Sequence, residues 1–411
     1  MVACYAFSNL TIVNLVNIKL SYFVEDEMDI YIRSTPGLSE NLLGGLESIK
    51  IFRNVFYIEK PLVQYSTKNK FMSLLSAPFR VIRHYKRYKD EFEIKLYGLV
   101  RDQKYDLFLC PYFFNDSIFY INFFSKVNPK MEISLYQEGT SHWYYTTDEL
   151  CHVNFHAYGV KEKVRRFFTM RKLCRRHKKR VNYTQYLYGK RKLIDDLSVK
   201  ILSLSTVTNN LMNIEKYKKL FQCKQDILMY YIKRQVYFFV SYPSEKEPNY
   251  ESRLFRSLTC LSETIHMSKV IIRLHPNNTS FKKEVSEVFS EYEFLNGAYT
   301  DEGFLSSESI FYNVDVEKKI LILDSSTSCA QPKLLFGKEP VIISLSKLSS
   351  RYYSDPWYRE QTDMYFDYLY DLYEDKTRIY QPSSIREFNR NLKRAYFNLQ
   401  CADWSQHDNL L

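Results

Sequence analysis

Glycine and proline are scarce in this chain of 411 residues, which contains 10 glycines and 12 prolines. That scarcity excludes collagen-like and low-complexity proteins, whose composition those residues dominate. Apolar residues make up 45% of the sequence, which is enough to fill real hydrophobic cores. The length exceeds that of one ordinary core and predicts two domains of roughly 150–200 residues each.

Long apolar runs are also lacking, since no stretch reaches the roughly 18 residues that a membrane-spanning helix needs. The first 20 residues are apolar but have no basic stretch and no small-residue cleavage site. They therefore predict a strand followed by a helix rather than a signal peptide. We expect a cytoplasmic protein, with peripheral attachment to the inner face of the plasma membrane as an option.

The eight cysteines are scattered and form no C-x-x-C pair. In a chain of this length, the pattern predicts reduced, buried thiols. His142, Cys151, His152 and His156 lie near one another in sequence, but their spacing matches no known zinc pattern. We therefore expect no bound metal.

Positive charge is concentrated in one segment. Residues 161–192 hold 14 Lys or Arg and one Glu, whereas the whole chain has a net charge of +11. A solvated helical face explains this segment as well as a function does. The functional interpretation is contact with a polyanion, such as an anionic membrane surface or an anionic glycan. Nucleic acid is a third option, but the rest of the chain resembles no nucleic-acid-binding module.

Apolar runs of strand length alternate with longer helical patterns, which is typical of βαβ units and parallel sheets. The predicted strands are Val2–Ala6, Ile49–Ile58, Tyr105–Cys110, Glu132–Tyr136, one that begins near Val236, Val270–Leu274, Ile320–Leu323 and Val341–Leu345. The predicted helices are Met72–Lys95, Ile194–Phe221 with a break near Thr206–Asn210, Tyr250–Ser268, Lys282–Glu291, Gln331–Phe336 and one that opens at the capping box Ser384–Glu387.

Two doubly wound halves of this kind predict an α/β fold of the GT-B type, with two Rossmann-like domains facing a central cleft. We expect an N-terminal domain over residues 1–230 and a C-terminal domain over 231–383. A C-terminal helix over 384–411 could pack back on the first domain. Ligands of doubly wound sheets bind beyond the carboxyl ends of the strands, so residues that follow predicted strands are the candidates for a site.

The first candidate is Glu138, which follows the predicted strand Glu132–Tyr136 and precedes Gly139. A carboxylate at such a turn can take a proton from a hydroxyl group. A lone Glu-Gly pair is, however, more often an exposed loop. The preceding residue is Gln137, whose amide cannot act as a base.

The second candidate is Arg273-Leu274-His275-Pro276, at the end of the strand Val270–Leu274. Pro276 stops the strand and holds His275 at its end. An imidazole there can contact a phosphate and give it a proton. A plain turn histidine is the competing interpretation.

The third candidate follows the strand Ile320–Leu323 and comprises Ser325, Ser326, Thr327 and Ser328. Hydroxyls and free amides at the start of a helix favour binding of an anion. Simple N-capping would need one hydroxyl, and four exceed that need. Gly337 is expected to end the helix.

Two acidic residues before a glycine, then His-Pro, then Ser-Ser/Thr in this order is the pattern of bacterial sialyltransferases, and this sequence resembles it except that Gln137 stands at the first acidic position. The sequence looks most like the lipooligosaccharide and capsule sialyltransferases of glycosyltransferase family 52, and next like the polysialyltransferases. The resemblance covers most of the chain. It implies an inverting, metal-independent transfer of sialic acid from CMP-sialate to a surface glycan that ends in galactose, without a cofactor and without nucleic acid.

The resemblance also implies residue roles. Glu138 would be the general base, and His275 would contact the CMP phosphate and assist its departure. Arg273 and Pro276 would lie at the nucleotide, and Glu308 would bind the nucleoside. Ser325 and Ser326 would hold the phosphate, with Thr327 beside them.

Two alternatives stay open. The donor could be another nucleotide sugar, either CMP-Kdo or a nucleoside-diphosphate sugar, although the chain has no Asp-x-Asp triplet of the kind that clamps a metal and a diphosphate. Because of Gln137, the chain could also be a catalytically dead GT-B protein that binds polyanions through residues 161–192.

Overall fold

The computed structural model describes residues 1–35, 37–59, 93–100, 103–111, 117–138, 181–188, 200–240, 249–274, 294–296, 305–323 and 327–407. The strands are β1 Val2–Ala6, β2 Met28–Ser34, β3 Asn54–Glu59, β4 Leu107–Cys110, β5 Glu132–Tyr136, β6 Val181–Tyr188, β7 Lys200–Leu204, β8 Val236–Val240, β9 Val270–Leu274, β10 Phe294–Asn296, β11 Ile320–Leu323, β12 Val341–Ser344 and β13 Ile379–Tyr380.

The helices are α1 Asn9–Tyr22, α2 Glu40–Ile49, α3 Ser117–Val127, α4 Ile214–Leu220, α5 Gln225–Ile232, α6 Tyr250–Thr264, α7 Ser307–Asn313, α8 Gln331–Phe336, α9 Ser350–Ser354, α10 Pro356–Leu372 and α11 Ile385–His407. Residues 93–100 are helical as well. Short 3-10 turns occupy Val207–Asn209, Leu211–Asn213, Met267–Lys269, Val316–Lys318, Thr327–Ala330, Ser346–Leu348 and Lys376–Arg378.

The chain forms two compact units. The first comprises Met1–Thr35 and Lys50–Leu204, and the second comprises Pro36–Ile49 and Ser205–Leu411. The helix α2 therefore belongs to the second unit although the sequence around it builds the first. Residues 205–230, which the sequence analysis placed in the N-terminal domain, are part of the second unit.

The sheet of the first unit has the strand order β3-β2-β1-β4-β5-β6-β7, and every pair in it is parallel. Its first six strands follow the order 3-2-1-4-5-6 that defines a Rossmann sheet. All five residues of β1 are buried. Such a continuous apolar strand is what a parallel sheet covered on both faces requires.

The second sheet, in the order β10-β9-β8-β11-β12-β13, is also entirely parallel. Counted from β8, it repeats the 3-2-1-4-5-6 order. The predicted α/β class with two doubly wound, Rossmann-like sheets is thus confirmed.

Aromatic side chains fill much of the first core. Tyr31 stacks on Phe56 with ring centroids 5.0 Å apart, and Tyr105 meets Phe124 edge-on at 4.8 Å. The hydroxyl of Tyr31 is hydrogen-bonded to that of Tyr105 at 2.7 Å, which satisfies two buried polar atoms. Tyrosine and phenylalanine side chains therefore contribute much of the buried packing in this core.

Several predicted elements need correction. The strand expected over Ile49–Ile58 is only Asn54–Glu59, because α2 runs to Ile49. The helix expected over Ile194–Phe221 is wrong for Lys200–Leu204, which forms β7. Leu202 and Leu204 flank Ser203, and this alternation of apolar and polar residues is the period of a strand.

Other predicted elements agree with the structure or fall outside it. The bounds of β1, β5, β9, β11 and α8 are those expected from the sequence. Residues 282–291 and most of Met72–Lys95 lie outside the described residues. The C-terminal helix α11 packs on α6 and on β12 of the second unit.

Candidate functional site

The strands that precede the second and third predicted motifs lie on either side of the central strand of the second sheet. The central strand β8 lies between β9 and β11, and Phe239 of β8 pairs with Arg273 on one side and Leu323 on the other. The strand order reverses between β8 and β11, which is where doubly wound sheets bind ligands. His275 and Pro276 follow β9 in sequence, and Ser325 and Ser326 follow β11; all four lie outside the described residues.

Arg273 lies within β9 and is almost completely buried, with 5% of its surface exposed. Its Nη2 donates a hydrogen bond of 2.5 Å to the carbonyl of Leu305, two residues before α7. The guanidinium carbon lies 5.5 Å from the ring centre of Phe239 and 6.0 Å from that of Tyr231, within the range of cation–π attraction. Burial lowers the pKa of Arg273. The side chain thus fixes the start of α7 against the sheet.

Glu308 lies in the first turn of α7 and is 4% exposed. Ser306 caps this helix, because its Oγ accepts the backbone N–H of Ser309 at 3.1 Å. Burial raises the pKa of Glu308, while the charge of Arg273 and hydrogen bonds from the side chains of Ser306 and Gln331 act in the opposite direction. The carboxyl group is therefore enclosed, with hydrogen bonds from two neighbouring side chains and the positive charge of Arg273 nearby.

Gln331 links this carboxyl group to the third motif. It is the first residue of α8 and follows directly on the turn Thr327–Ala330. Its side chain hydrogen-bonds to Glu308, and its Oε1 is buried with no hydrogen-bond partner among the described residues. Gly337 ends α8 in the left-handed conformation with φ 69°, as the sequence predicts.

Arg273 and Glu308, predicted as nucleotide-binding residues, thus meet in one cluster together with Ser306 and Gln331. Sequence reasoning missed Gln331. The signal available was its position at the start of a predicted helix just after the serine-rich turn. Of Thr327, the structure describes the backbone as the first residue of its 3-10 turn.

The first unit carries the acidic motif at the carboxyl end of β5. Gln137 is buried, its N–H donates to Tyr186 O at 3.0 Å, and its Oε1 accepts the N–H of Tyr188 at 2.9 Å. Asn14 of α1 donates from Nδ2 to the carbonyl of Gln137 at 2.5 Å. Gln137 therefore extends the β5–β6 pairing, which gives this amide a structural role.

Glu138 is the next residue and is partly exposed. It is the first carboxylate beyond the end of the β5–β6 pairing, and its charge contributes to the raised pKa of Tyr136, whose main cause is burial. Gly139 lies outside the described residues. The family pattern has two acidic residues before the glycine. The hydrogen bond from Tyr188 to the side chain of Gln137 explains why an amide stands at the first of these positions.

Other expectations concern partners. No group of three or more His, Cys, Asp or Glu in the described ranges is arranged to hold a metal ion. No helix described here combines the length and the apolar character needed to cross a bilayer. Of the basic segment 161–192, only β6 is described.

No family model and no curated protein matches the sequence. Solved structures with a similar chain fold include the UDP-N-acetylglucosamine 2-epimerase of Neisseria meningitidis bound to its UDP-sugar, with 12% identity, coverage of 97% of this chain and 100% of that one, and a TM-score of 0.47. A putative epimerase of the same name from Listeria monocytogenes shows 10% identity, coverage of 95% and 90%, and a TM-score of 0.47.

UGT2 of Phytolacca americana, complexed with UDP-2-fluoro-glucose and pterostilbene, shows 9% identity, coverage of 97% of this chain and 92% of that one, and a TM-score of 0.46. The fold assignment stands on the strand orders of the two sheets, and these likenesses assign no activity.

Proposed function

We propose that this chain is a glycosyltransferase of the GT-B type that binds a nucleotide sugar at the carboxyl edge of its second sheet. The observation that carries the proposal is the cluster of Arg273, Glu308 and Gln331 at the reversal point of a Rossmann strand order. Buried ionisable groups that lie close to one another at such an edge are typical of a binding site.

The cluster supports the phosphate and nucleoside roles by fixing the segments that carry them. Arg273 fixes the start of α7, and Gln331 connects Glu308 to the turn that follows Ser325 and Ser326. Hydroxyl groups of that segment together with the imidazole of His275 can neutralise a single leaving phosphate without a metal. A monophosphate donor therefore suits these residue types.

The finer proposal is CMP-sialate as the donor and a galactose-terminated bacterial surface glycan as the acceptor. Glu138 takes the proton of the acceptor hydroxyl, and the freed oxygen attacks the anomeric carbon. The bond between that carbon and the CMP phosphate oxygen breaks, and His275 gives a proton to the departing phosphate. A single displacement inverts the anomeric centre, from a β-linked donor to an α-linked product.

Nucleotide titration of the purified chain by calorimetry tests the donor. We expect CMP to bind more tightly than UDP or GDP. The double variant Ser325→Ala and Ser326→Ala should weaken CMP binding by about 1–3 kcal/mol, because it removes hydrogen bonds to a charged group. Ser262→Ala with Ser268→Ala, two serines of the same unit outside the cluster, is the matched control. Tighter binding of UDP or GDP would replace CMP by a nucleoside-diphosphate sugar, the second candidate donor.

A turnover assay distinguishes an active glycosyltransferase from a catalytically dead GT-B protein. CMP-sialate and a panel of galactosides should release CMP, and both Glu138→Gln and His275→Ala should abolish the release. This result would exclude the alternative of a catalytically dead GT-B protein that binds polyanions through residues 161–192.

A further inference from the structure

One face of the C-terminal helix α11 is basic and exposed. It comprises Arg386, Arg390, Lys393, Arg394 and Phe397, and we call it the basic face. At about 100° of rotation per residue, these five positions fall within an arc of about 100°. The side chain of Arg390 is 75% exposed, and Phe397 is 67% exposed.

The opposite side of α11 fixes the orientation of the basic face. Phe388, Leu392 and Ala395 are buried in the core around the second sheet. Near its end, Gln400 donates from Nε2 to the side-chain oxygen of Gln235 at 3.2 Å. The helix is therefore anchored along its length, and its outward face is set by the fold.

Acidic groups near the basic face are few. The only acidic residue of α11 before position 402 is Glu387, whose carboxylate accepts the N–H and the hydroxyl of Ser383 at 2.8 Å each and lies 3.7 Å from Arg390. On the adjacent helix α6, burial and the charge of Glu263 raise the pKa of Cys260, and the charge of Lys393 from α11 acts in the opposite direction. Four cations against one carboxylate on α11 leave the face with a clear positive charge.

We propose that the basic face of α11 docks on the anionic headgroups of a lipid bilayer, with Phe397 entering the interfacial layer. The charge is complementary to acidic lipids, which attract clustered Lys and Arg. Phe397 lies in the middle of the arc formed by the four cations. Burial of an aromatic side chain in the interfacial layer of a bilayer makes binding more favourable. A dissolved polyanion offers no apolar layer and would not stabilise Phe397 in this way. The proposal is independent of the donor and of catalysis.

Co-sedimentation of the full chain with phosphatidylcholine vesicles, with and without phosphatidylglycerol, tests the proposal. The chain should sediment only with the anionic vesicles, and raised salt should release it. Arg390→Gln with Arg394→Gln should weaken this binding about 30-fold, at about 1 kcal/mol for each cation. Lys219→Gln with Lys224→Gln removes the same charge from two exposed positions of the second unit and should leave binding unchanged.

Phe397 distinguishes a bilayer from other polyanions. Phe397→Ser should weaken vesicle binding, whereas Phe397→Leu should bind vesicles about as tightly as the wild type. Neither variant should change binding to heparin, which is a dissolved polyanion. All five side chains involved are exposed, so thermal unfolding should show the variants folded. The proposal is overturned if the wild-type chain does not sediment with anionic vesicles. It is equally overturned if the arginine variant binds them like the wild type, or if Phe397→Ser and Phe397→Leu bind them alike.

Discussion

The side-chain oxygen of Gln137 accepts the backbone N–H of Tyr188 at 2.9 Å, and so it continues the β5–β6 pairing with a side chain. Tyr188 is itself buried, and its hydroxyl accepts a hydrogen bond from Asn17 Nδ2 at 3.0 Å. An amide at position 137 is therefore explained by the local structure. The carboxylate that we propose as the general base is the next residue, Glu138.

Gln137→Ala should lower the free energy of unfolding by about 1–3 kcal/mol, because it leaves the buried N–H of Tyr188 without an acceptor. Urea denaturation measures this loss. Glu138→Gln is the matched neighbour, since it changes a partly exposed side chain and should alter stability by less than about 0.5 kcal/mol. Similar losses of stability in the two variants would contradict a structural role for Gln137 that Glu138 does not share.

Two of the strands that the sequence located correctly, β1 and β11, are continuous apolar runs that are buried along their whole length. β9 is interrupted only by Arg273. Such runs can be located in a sequence without knowledge of the strands beside them. Strands missed in the sequence, such as β2 and β6, contain polar residues within them. Their strand character depends on the partners that pair with them, and those partners are distant in sequence.

The contact of α2 with α4 provides the second prediction. A Cβ atom on Gly45 would lie 2.2 Å from the carbonyl oxygen of Leu220, so that only glycine fits there. Gly45→Ala should therefore destabilise the second unit by about 1–3 kcal/mol or more. The helix α2 comes from the N-terminal part of the sequence, and the substitution would weaken its packing on α4 in this unit.

Gly44 is the ideal control, since a Cβ there would meet nothing within 4 Å. Gly44→Ala lies in the same helix and should stabilise the protein by about 0.5–1 kcal/mol, because alanine loses less backbone entropy than glycine. Thermal unfolding of both variants should move the transition in opposite directions. A shift of the same sign in both would show that the α2–α4 contact is not close-packed.

The third prediction concerns pH. Burial raises the pKa of Glu308 above its usual value near 4.5. As the pH rises above that value, the unfolded chain releases this proton while the folded chain retains it. The contribution of Glu308 to the free energy of unfolding should therefore fall with rising pH and become constant above its raised pKa.

Glu308→Gln removes this dependence. Urea denaturation over a series of pH values should show the variant gaining stability relative to the wild type as the pH increases. Glu251→Gln, an exposed position on α6 with the same change of charge, should show no such trend. A constant difference between Glu308→Gln and the wild type at every pH would mean that Glu308 is not held in its protonated form by the fold.

The candidate site was only partly predictable for a physical reason. Arg273 follows a local pattern, the end of an apolar strand, and so its position could be predicted, whereas Glu308 came only from the family resemblance because the sequence analysis predicted no helix at α7. That the two meet, with Gln331 as a third partner, depends on the strand order β9-β8-β11. A single sequence carries no direct record of strand order, and the structure therefore adds Gln331 to the site.

Lys338 gives the last prediction, because it closes the helix that carries Glu308. Its Nζ donates to the carbonyls of Phe311, Tyr312 and Val314 at 2.6, 3.1 and 2.9 Å, at the end of α7. Lys338→Met should cost about 1–3 kcal/mol, since these acceptors lose a charged donor. Lys318→Met, at a half-exposed lysine 4.0 Å from Asp315, should change stability by less than about 0.5 kcal/mol. Hydrogen exchange should quicken across residues 305–313 in the Lys338 variant only, and an unchanged exchange rate there would show that the lysine does not support α7.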